Sequence, residues 1–456
     1  MRKTKRYWLW LACLVLAVAA AVLGPVGSAL RTGAGTAAHN VCSSTFVSGL
    51  PEQQTEDELV GLLIGPARRF LQVRVNHDDR SVEARLLFGR ARAEFTPGYG
   101  CRLVLGPAVA LAPLPPQAPA PDDGFAPPTP VEPASPALAQ ALDRLFATAP
   151  GEAPRQVKAV VIVKDGHVVA ERYAYGFGVD TPVMSFSVAK SVTNALLGIL
   201  AHQGRLQMEA PAPVPEWSAA GDERARIRPD NLLRMASGLD AAETGSDFDP
   251  SSRMLYDTND MAAYSARRPA AKPPGTVWEY TSNDTLILDR IVGRIVGGGP
   301  AELRQFAQRE LFGPIGMNPV TLEFDGAGTF IGSSHVYAPA RAYARLGLLY
   351  LNDGVAPDGR RILPQGWVAY SRRSTAGSTY GAGFWTNDGP SEQAAWRVAH
   401  GFPKDGFFAS GNLGQRIYII PSERMVIARF GYSPAPTFGM RADLELMSAA
   451  IAALKE

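Results

Sequence analysis

Ser185-Phe-Ser187-Val-Ala-Lys190-Ser-Val-Thr-Asn-Ala-Leu-Leu-Gly198 is the stretch on which the reading of this chain turns. Pro182 and several β or turn formers precede it, and good helical spacing follows, so Ser187 is expected at a helix N-terminus. Positions i and i+3 share a helix face, which brings the Lys190 ammonium within reach of the Ser187 hydroxyl. A free hydroxyl is a poor nucleophile. A lysine desolvated by neighbours such as Val188, Ala189 and Val192 can have its pKa lowered enough to accept the hydroxyl proton, and the helix N-terminus favours developing negative charge. Taken alone, Ser-x-x-Lys equally describes an N-cap serine and a surface lysine. Its context argues otherwise, because Lys190 is the only lysine in a long, largely apolar segment, 168–200.

Upstream of this stretch, Leu138, Ala141, Leu142 and Leu145 have helical spacing. Segments 157–163 and 167–173 flank the turn Asp165-Gly166, giving a helix that leads into a β-hairpin. Helical periodicity interrupted by Gly and Pro loops dominates 187–371. Residues 416–420 and 425–430 return to β-rich composition, and 440–454 is again helical. Strands from both ends with helices between them predict an α+β fold. Its antiparallel sheet is completed by distant segments and flanked by terminal helices, with an inserted helical lobe.

Further toward the N-terminus, prolines recur through 107–136, which reads as an extended linker. Segments 70–75 and 81–88 alternate in polarity around a turn, so 38–106 is expected to be a small strand-rich domain. Cys42 and Cys101 are the only cysteines beyond the first apolar run, and a disulfide between them is expected. It would close a loop of about sixty residues, worth roughly 4 kcal/mol in the chain-entropy model. Arg2, Lys3, Lys5 and Arg6 precede the uncharged run 8–23, so residues 1–35 read as a signal anchor or signal peptide. Ala29 and Ala38 are conceivable cleavage positions. Either form exports the rest of the chain, to face the periplasm or the cell exterior or to be secreted. The domains expected are therefore 1–35, 38–106, 107–136 and 137–456.

Lys+Arg 45 against Asp+Glu 43 leaves +2, with no dense basic run beyond the first residues, so a nucleic-acid footprint is missing. No Cys-x-x-Cys or clustered-His pattern suggests a metal, and no cofactor is called for. His335 and His400 are the histidines to weigh for a Ser-His-Asp arrangement. No Gly-x-Ser-x-Gly elbow accompanies them, and Asp405 reads as a loop residue.

Three further segments recur in order after Ser187-Val-Ala-Lys190. They are Leu232-Leu-Arg-Met-Ala-Ser-Gly-Leu239, Pro274-Gly-Thr-Val-Trp-Glu-Tyr280-Thr-Ser282-Asn283, and Ala409-Ser410-Gly411-Asn412-Leu-Gly-Gln415. With them, about 137–455 resembles the serine β-lactamase and penicillin-binding-protein superfamily. The resemblance is to the branch that includes class C β-lactamases, related esterases and 6-aminohexanoate-dimer hydrolases, and it implies their β-lactamase/transpeptidase-like fold. Tyr280-Thr281-Ser282 is similar to the family's Tyr-x-Asn box, with serine in place of asparagine. Reading Asn283 as the box residue sets it one place too far. Tyr280 is then the candidate proton relay. Ala409-Ser410-Gly411 stands where the family usually has Lys-Thr-Gly or His-x-Gly, and Lys404 would serve only in a shifted alignment. Lacking that cation, the chain is expected to favour esters or amides over β-lactams.

The resemblance also implies an oxyanion hole from the backbone N–H groups of Ser187 and Asn412. Tyr380 and Trp385 are candidates for the pocket wall. The expected activity is hydrolysis of a small ester or amide through a Ser187 acyl-enzyme. The alternatives are a β-lactamase or D-amino-acid peptidase and, outside enzymes, a silent binder of peptides or cell-wall fragments. The substrate is the one small-molecule partner implied, and the membrane is contacted only through the N-terminal segment.

Overall fold

The computed structural model describes Trp8, Trp10 and residues 24–117, 119, 121, 123–148, 154–245 and 249–455. The apolar run 8–23 therefore lies almost wholly outside the described residues. Among those described, no helix is long and apolar enough to cross a membrane.

Helix α1 (Pro25–Phe46) is followed by the antiparallel meander β1 (Leu71–Asn76), β2 (Ser81–Leu86), β3 (Gly89–Thr96) and β4 (Gly100–Leu103). α1 crosses the boundary expected near residues 35–38, which is a correction to the sequence reading. Its Ala29, Ala34, Ala37 and Ala38 are buried, as are Thr32 and Thr36. The small side chains have a packing reason. A Cβ on Gly35 would strike the backbone of Tyr256, and one on Gly89 of β3 would strike the α1 backbone at Leu30. The stretch read as a cleavage region thus forms a helix pressed onto a sheet, with the Cys42–Cys101 disulfide joining α1 to β4.

The described residues of the proline-rich segment up to Ser135 lack helix and strand, and several of them are bound to the body rather than free. The Gln117 side chain pairs with both backbone groups of Val320. Asp123 meets Arg345 through two 2.7 Å contacts, and Arg341 donates to the carbonyls of Pro127 and Thr129. The expected linker is a strap.

The larger body carries, in chain order, α2 (Pro136–Phe146), β5 (Val157–Lys164), β6 (His167–Tyr173), β7 (Val183–Met184), α3 (Ala189–His202), α4 (Pro250–Asp257) and α5 (Ser282–Val296). These are followed by β8 (Thr321–Leu322), β9 (Val336–Ala338), α6 (Ala340–Leu351), β10 (Trp385–Thr386), β11 (Phe407–Gly411), β12 (Gln415–Ile420), β13 (Met425–Gly431) and α7 (Met440–Ala453). The main sheet has the order β10-β11-β12-β13-β5-β6, and each neighbouring pair is antiparallel. Asp165 and Gly166 both take positive φ, as a tight two-residue hairpin requires.

Strand periodicity divides the interior in two. In β5, Ala159, Val161 and Val163 face the core that contains α3 and α6. The alternate residues Val160 and Ile162 face α2 and α7, joined by Val157 beyond a bulge in the pairing with β13. A strand covered on both sides must read as a continuous apolar run. α3 is likewise buried from Ala189 to Leu200, and its polar members Lys190, Ser191, Thr193 and Asn194 each find a hydrogen-bond partner there.

Candidate active site

The site forms where α3 starts against the end of β11. β7 pairs with β9, so the Ser185 backbone N–H reaches Val336 O at 2.9 Å, and the Ser185 hydroxyl donates to Ser334 O at 3.0 Å. Phe186 then turns with φ of +44° into a single 3-10 turn that carries Ser187 to the head of α3. Such a conformation costs a bulky residue about 1–3 kcal/mol and persists only where packing enforces it. Here the Phe186 ring is clamped among Leu59, Met184, Tyr337, Leu413 and Tyr432. Leu59 comes from the N-terminal unit, which thus contributes to the cluster behind the Ser187 turn.

Lys190 is 1% exposed. Its Nζ donates to Ser187 Oγ at 3.1 Å, Ser282 Oγ at 3.0 Å and Ser333 O at 3.0 Å. Burial lowers its pKa from 10.5 to about 8, with the charges of Glu243 and Asp289 acting against that shift. Ser282 is oriented by its position as the first residue of α5, capped by Thr281, and its N–H donates to Glu243 at 2.6 Å. Asp289, about two turns further along α5, accepts from Thr193 of α3 at 2.7 Å. Burial holds this carboxyl well above its ordinary pKa. Neither Glu243 nor Asp289 stood out in the sequence, because each acts through contacts between distant segments.

Tyr280 stands over the pair, with its ring centroid 4.9 Å from Lys190 Nζ. Burial holds its phenol well above the ordinary value, while its hydrogen bond with Ser187 pulls the other way. Tyr380 meets it edge-on at 5.6 Å and Trp385 stacks on it at 5.7 Å. Trp278 closes the group at 6.1 Å from Tyr380 and 6.0 Å from Trp385. Trp278 carried no reading of its own in the sequence, yet it is the fourth wall of an aromatic box. A depression of about 690 Å³ adjoins the box at Trp278 and Trp385.

β11 supplies the opposite wall. A Cβ on Gly411 would collide with Ser185 O and come within 3.0 Å of Ser187 N, so only glycine lets the strand lie this close. Ser410 is half-buried beside it, and Asn412 is exposed at the strand end. Lys404 lies exposed in the turn before β11, at the other end of the strand from Gly411. Asn283 is committed to Ser251, Ser265 and Thr281 within the helical lobe.

The remaining candidates are elsewhere. His400 stacks on Trp396 at the end of a short helix, and Asp405 accepts from Ser422. His335 is fully buried beside His39 and Glu323.

A buried lysine hydrogen-bonded to a serine at a helix start, under an antiparallel sheet with an inserted helical lobe, defines a serine hydrolase of the Ser-x-x-Lys kind. The chain belongs to the Beta-lactamase family, whose model matches residues 142–450. It is 26% identical over 301 residues to a 6-aminohexanoate-dimer hydrolase of Paenarthrobacter ureafaciens, covering 61% of this chain and 73% of that one. In fold it is similar to a penicillin-binding protein homologue from Caulobacter crescentus, with a TM-score of 0.53 and 18% identity over 71% of this chain and 99% of that one. It is likewise similar to a family VIII carboxylesterase, with a TM-score of 0.52 and 16% identity over 70% of this chain and 98% of that one.

Proposed function

We propose that this protein hydrolyses a small linear ester or amide through an acyl-enzyme on Ser187. The observation that carries the reading is the buried Lys190 Nζ at 3.1 Å from Ser187 Oγ, with a pKa lowered by burial to about 8. Neutral Lys190 takes the hydroxyl proton as Ser187 attacks the carbonyl carbon. The oxyanion is received by the backbone N–H groups of Ser187 and Asn412, in the cleft kept open by Gly411. Tyr280 returns the proton to the departing alcohol or amine, and water then releases the acyl group by the reverse relay.

Two observations support linear, uncharged substrates. β11 offers only Phe407, Phe408, Ala409, Ser410 and Gly411, with no cation for a carboxylate. The pocket wall is aromatic. The names of two relatives, an amide hydrolase and a carboxylesterase, agree in reaction class. As part of the same reading we place the folded chain outside the cytoplasm, tethered or released by its N-terminal run. The Cys42–Cys101 bridge supports an oxidising compartment.

The test is a burst experiment with a short-chain p-nitrophenyl ester. Wild type is expected to release one equivalent of p-nitrophenol rapidly, and Ser187→Ala none. Lys190→Ala should acylate about 10²–10⁴-fold more slowly. A Ser187→Ala variant that keeps the burst would sink the assignment.

A further inference from the structure

Behind the active site, His39 of α1, Glu323 just after β8 and His335 just before β9 converge in the interior, each at most 1% exposed. His39 Nε2 lies 2.8 Å and His335 Nδ1 3.8 Å from Glu323 Oε2, and the imidazoles stack at 4.0 Å. The other carboxylate oxygen is already taken, accepting from Ser43 Oγ and the Cys101 N–H, both at 2.7 Å. Oε2 and all four ring nitrogens make no hydrogen bond of acceptable geometry among the described residues. Buried polar atoms are nearly always satisfied. A neutral imidazole has one lone-pair nitrogen, so each histidine can turn one donor toward Glu323 Oε2, and the three donors together mark a position for an electrophile.

We propose that His39, Glu323 and His335 bind a divalent transition metal of the zinc type, which fastens the N-terminal unit to the catalytic body. Two imidazoles and a carboxylate are a donor set that suits zinc. The donor atoms lie within 4.8 Å of one another. Donors around tetrahedral zinc are about 3.3 Å apart, so loading draws His335 toward Glu323, lets the closer His39–Glu323 pair open slightly, and swings the imidazoles out of their stack. A cavity of about 10 Å³ touches both histidines, about the room one water needs to complete the coordination. Glu323 and His335 face each other across the β8–β9 hairpin, where the Glu323 N–H donates to His335 O at 3.2 Å. Only His39 has to arrive from elsewhere.

The metal also bears on the catalytic machinery without entering it. Ser333 O holds Lys190, Ser334 O holds Ser185, and His335 is the next residue along.

The test uses the full chain. Protein purified without chelator is expected to carry about one zinc by elemental analysis. Chelator-treated protein should lose several degrees of melting temperature and regain them with Zn²⁺ or Co²⁺, the latter with visible absorption typical of low-coordinate cobalt. His39→Gln, on a helix that its alanines still pack, should abolish both the zinc content and the melting response. Absence of zinc together with no melting response in wild type would overturn the proposal, leaving protons and water to satisfy the cluster. So would zinc retained at wild-type affinity by His39→Gln, which would locate it elsewhere. The wild-type experiment is decisive even where a variant fails to fold.

Discussion

Lys190 has to be neutral to act as a base and is buried in either form, so its pKa links activity and stability. The rate of acylation should rise with pH through about 8 and level off above it, measured as kcat/KM for a neutral ester. The stability effect has a definite sign. The folded-state value of about 8 lies below the unfolded value of 10.5, so between them the unfolded chain binds more protons and stability rises with pH. The difference amounts to about 3 kcal/mol and is present as a penalty below pH 8. Lys190→Met should remove that rise, which urea titrations at pH 7 and pH 10 would reveal. Gly411 makes a different kind of residue-scale demand. Gly411→Ala pushes β11 away from Ser187 N, so kcat/KM should fall by about 10²-fold with KM little changed, the loss expected when one oxyanion donor is misplaced.

Among the elements, α1 and the helical stretch that follows it do more for the site than their sequences suggest. Leu59 is 1% exposed and shares a buried cluster with Phe186, the positive-φ residue beside Ser187. Leu59→Ala should therefore cost about 2–5 kcal/mol in stability and also lower the burst rate, although the side chain is no part of the chemistry. Stopped-flow acylation alongside chemical denaturation separates the two effects. A normal burst rate in a folded Leu59→Ala protein would show that the turn holds itself. The disulfide ties α1 to β4, and replacing both cysteines by alanine should lower the unfolding free energy by about 2–5 kcal/mol.

At the scale of the molecule, the N-terminal unit and the catalytic body are parts of one packed structure. Ser28 and Arg31 bind Asp257 of α4, Lys158 of β5 binds Glu58 at 2.8 Å, and Arg304 reaches the Gly98 carbonyl. The strap then runs back over the body to α2. A chain starting at residue 25 should match the full chain in melting temperature. One starting at residue 38 cuts α1 in half, loses the Asp257 contacts, and should melt several degrees lower with reduced esterase activity. Equal melting of the two would mean that the first half of α1 contributes nothing.

Sequence alone determined whatever depends on local periodicity and short spacing. Ser187 and Lys190 are three residues apart on one helix, so their meeting follows from helical geometry. The α2 stripe of Leu138, Ala141, Leu142 and Leu145, the Asp165-Gly166 hairpin and the continuous apolar strands of the main sheet were legible for the same reason. Tyr280 and Gly411 could be singled out only through resemblance to a family, because their neighbours lie about ninety and more than two hundred residues away in the chain. Tertiary structure alone decided the roles of Glu243, Asp289 and Trp278, the burial of a helix too rich in glycine, serine and alanine to look like core, and the fastening of a proline-rich segment that reads as free. It also brought His39, Glu323 and His335 together. Nothing in a one-dimensional pattern encodes a contact between positions nearly three hundred residues apart, since it exists only once the intervening chain has packed.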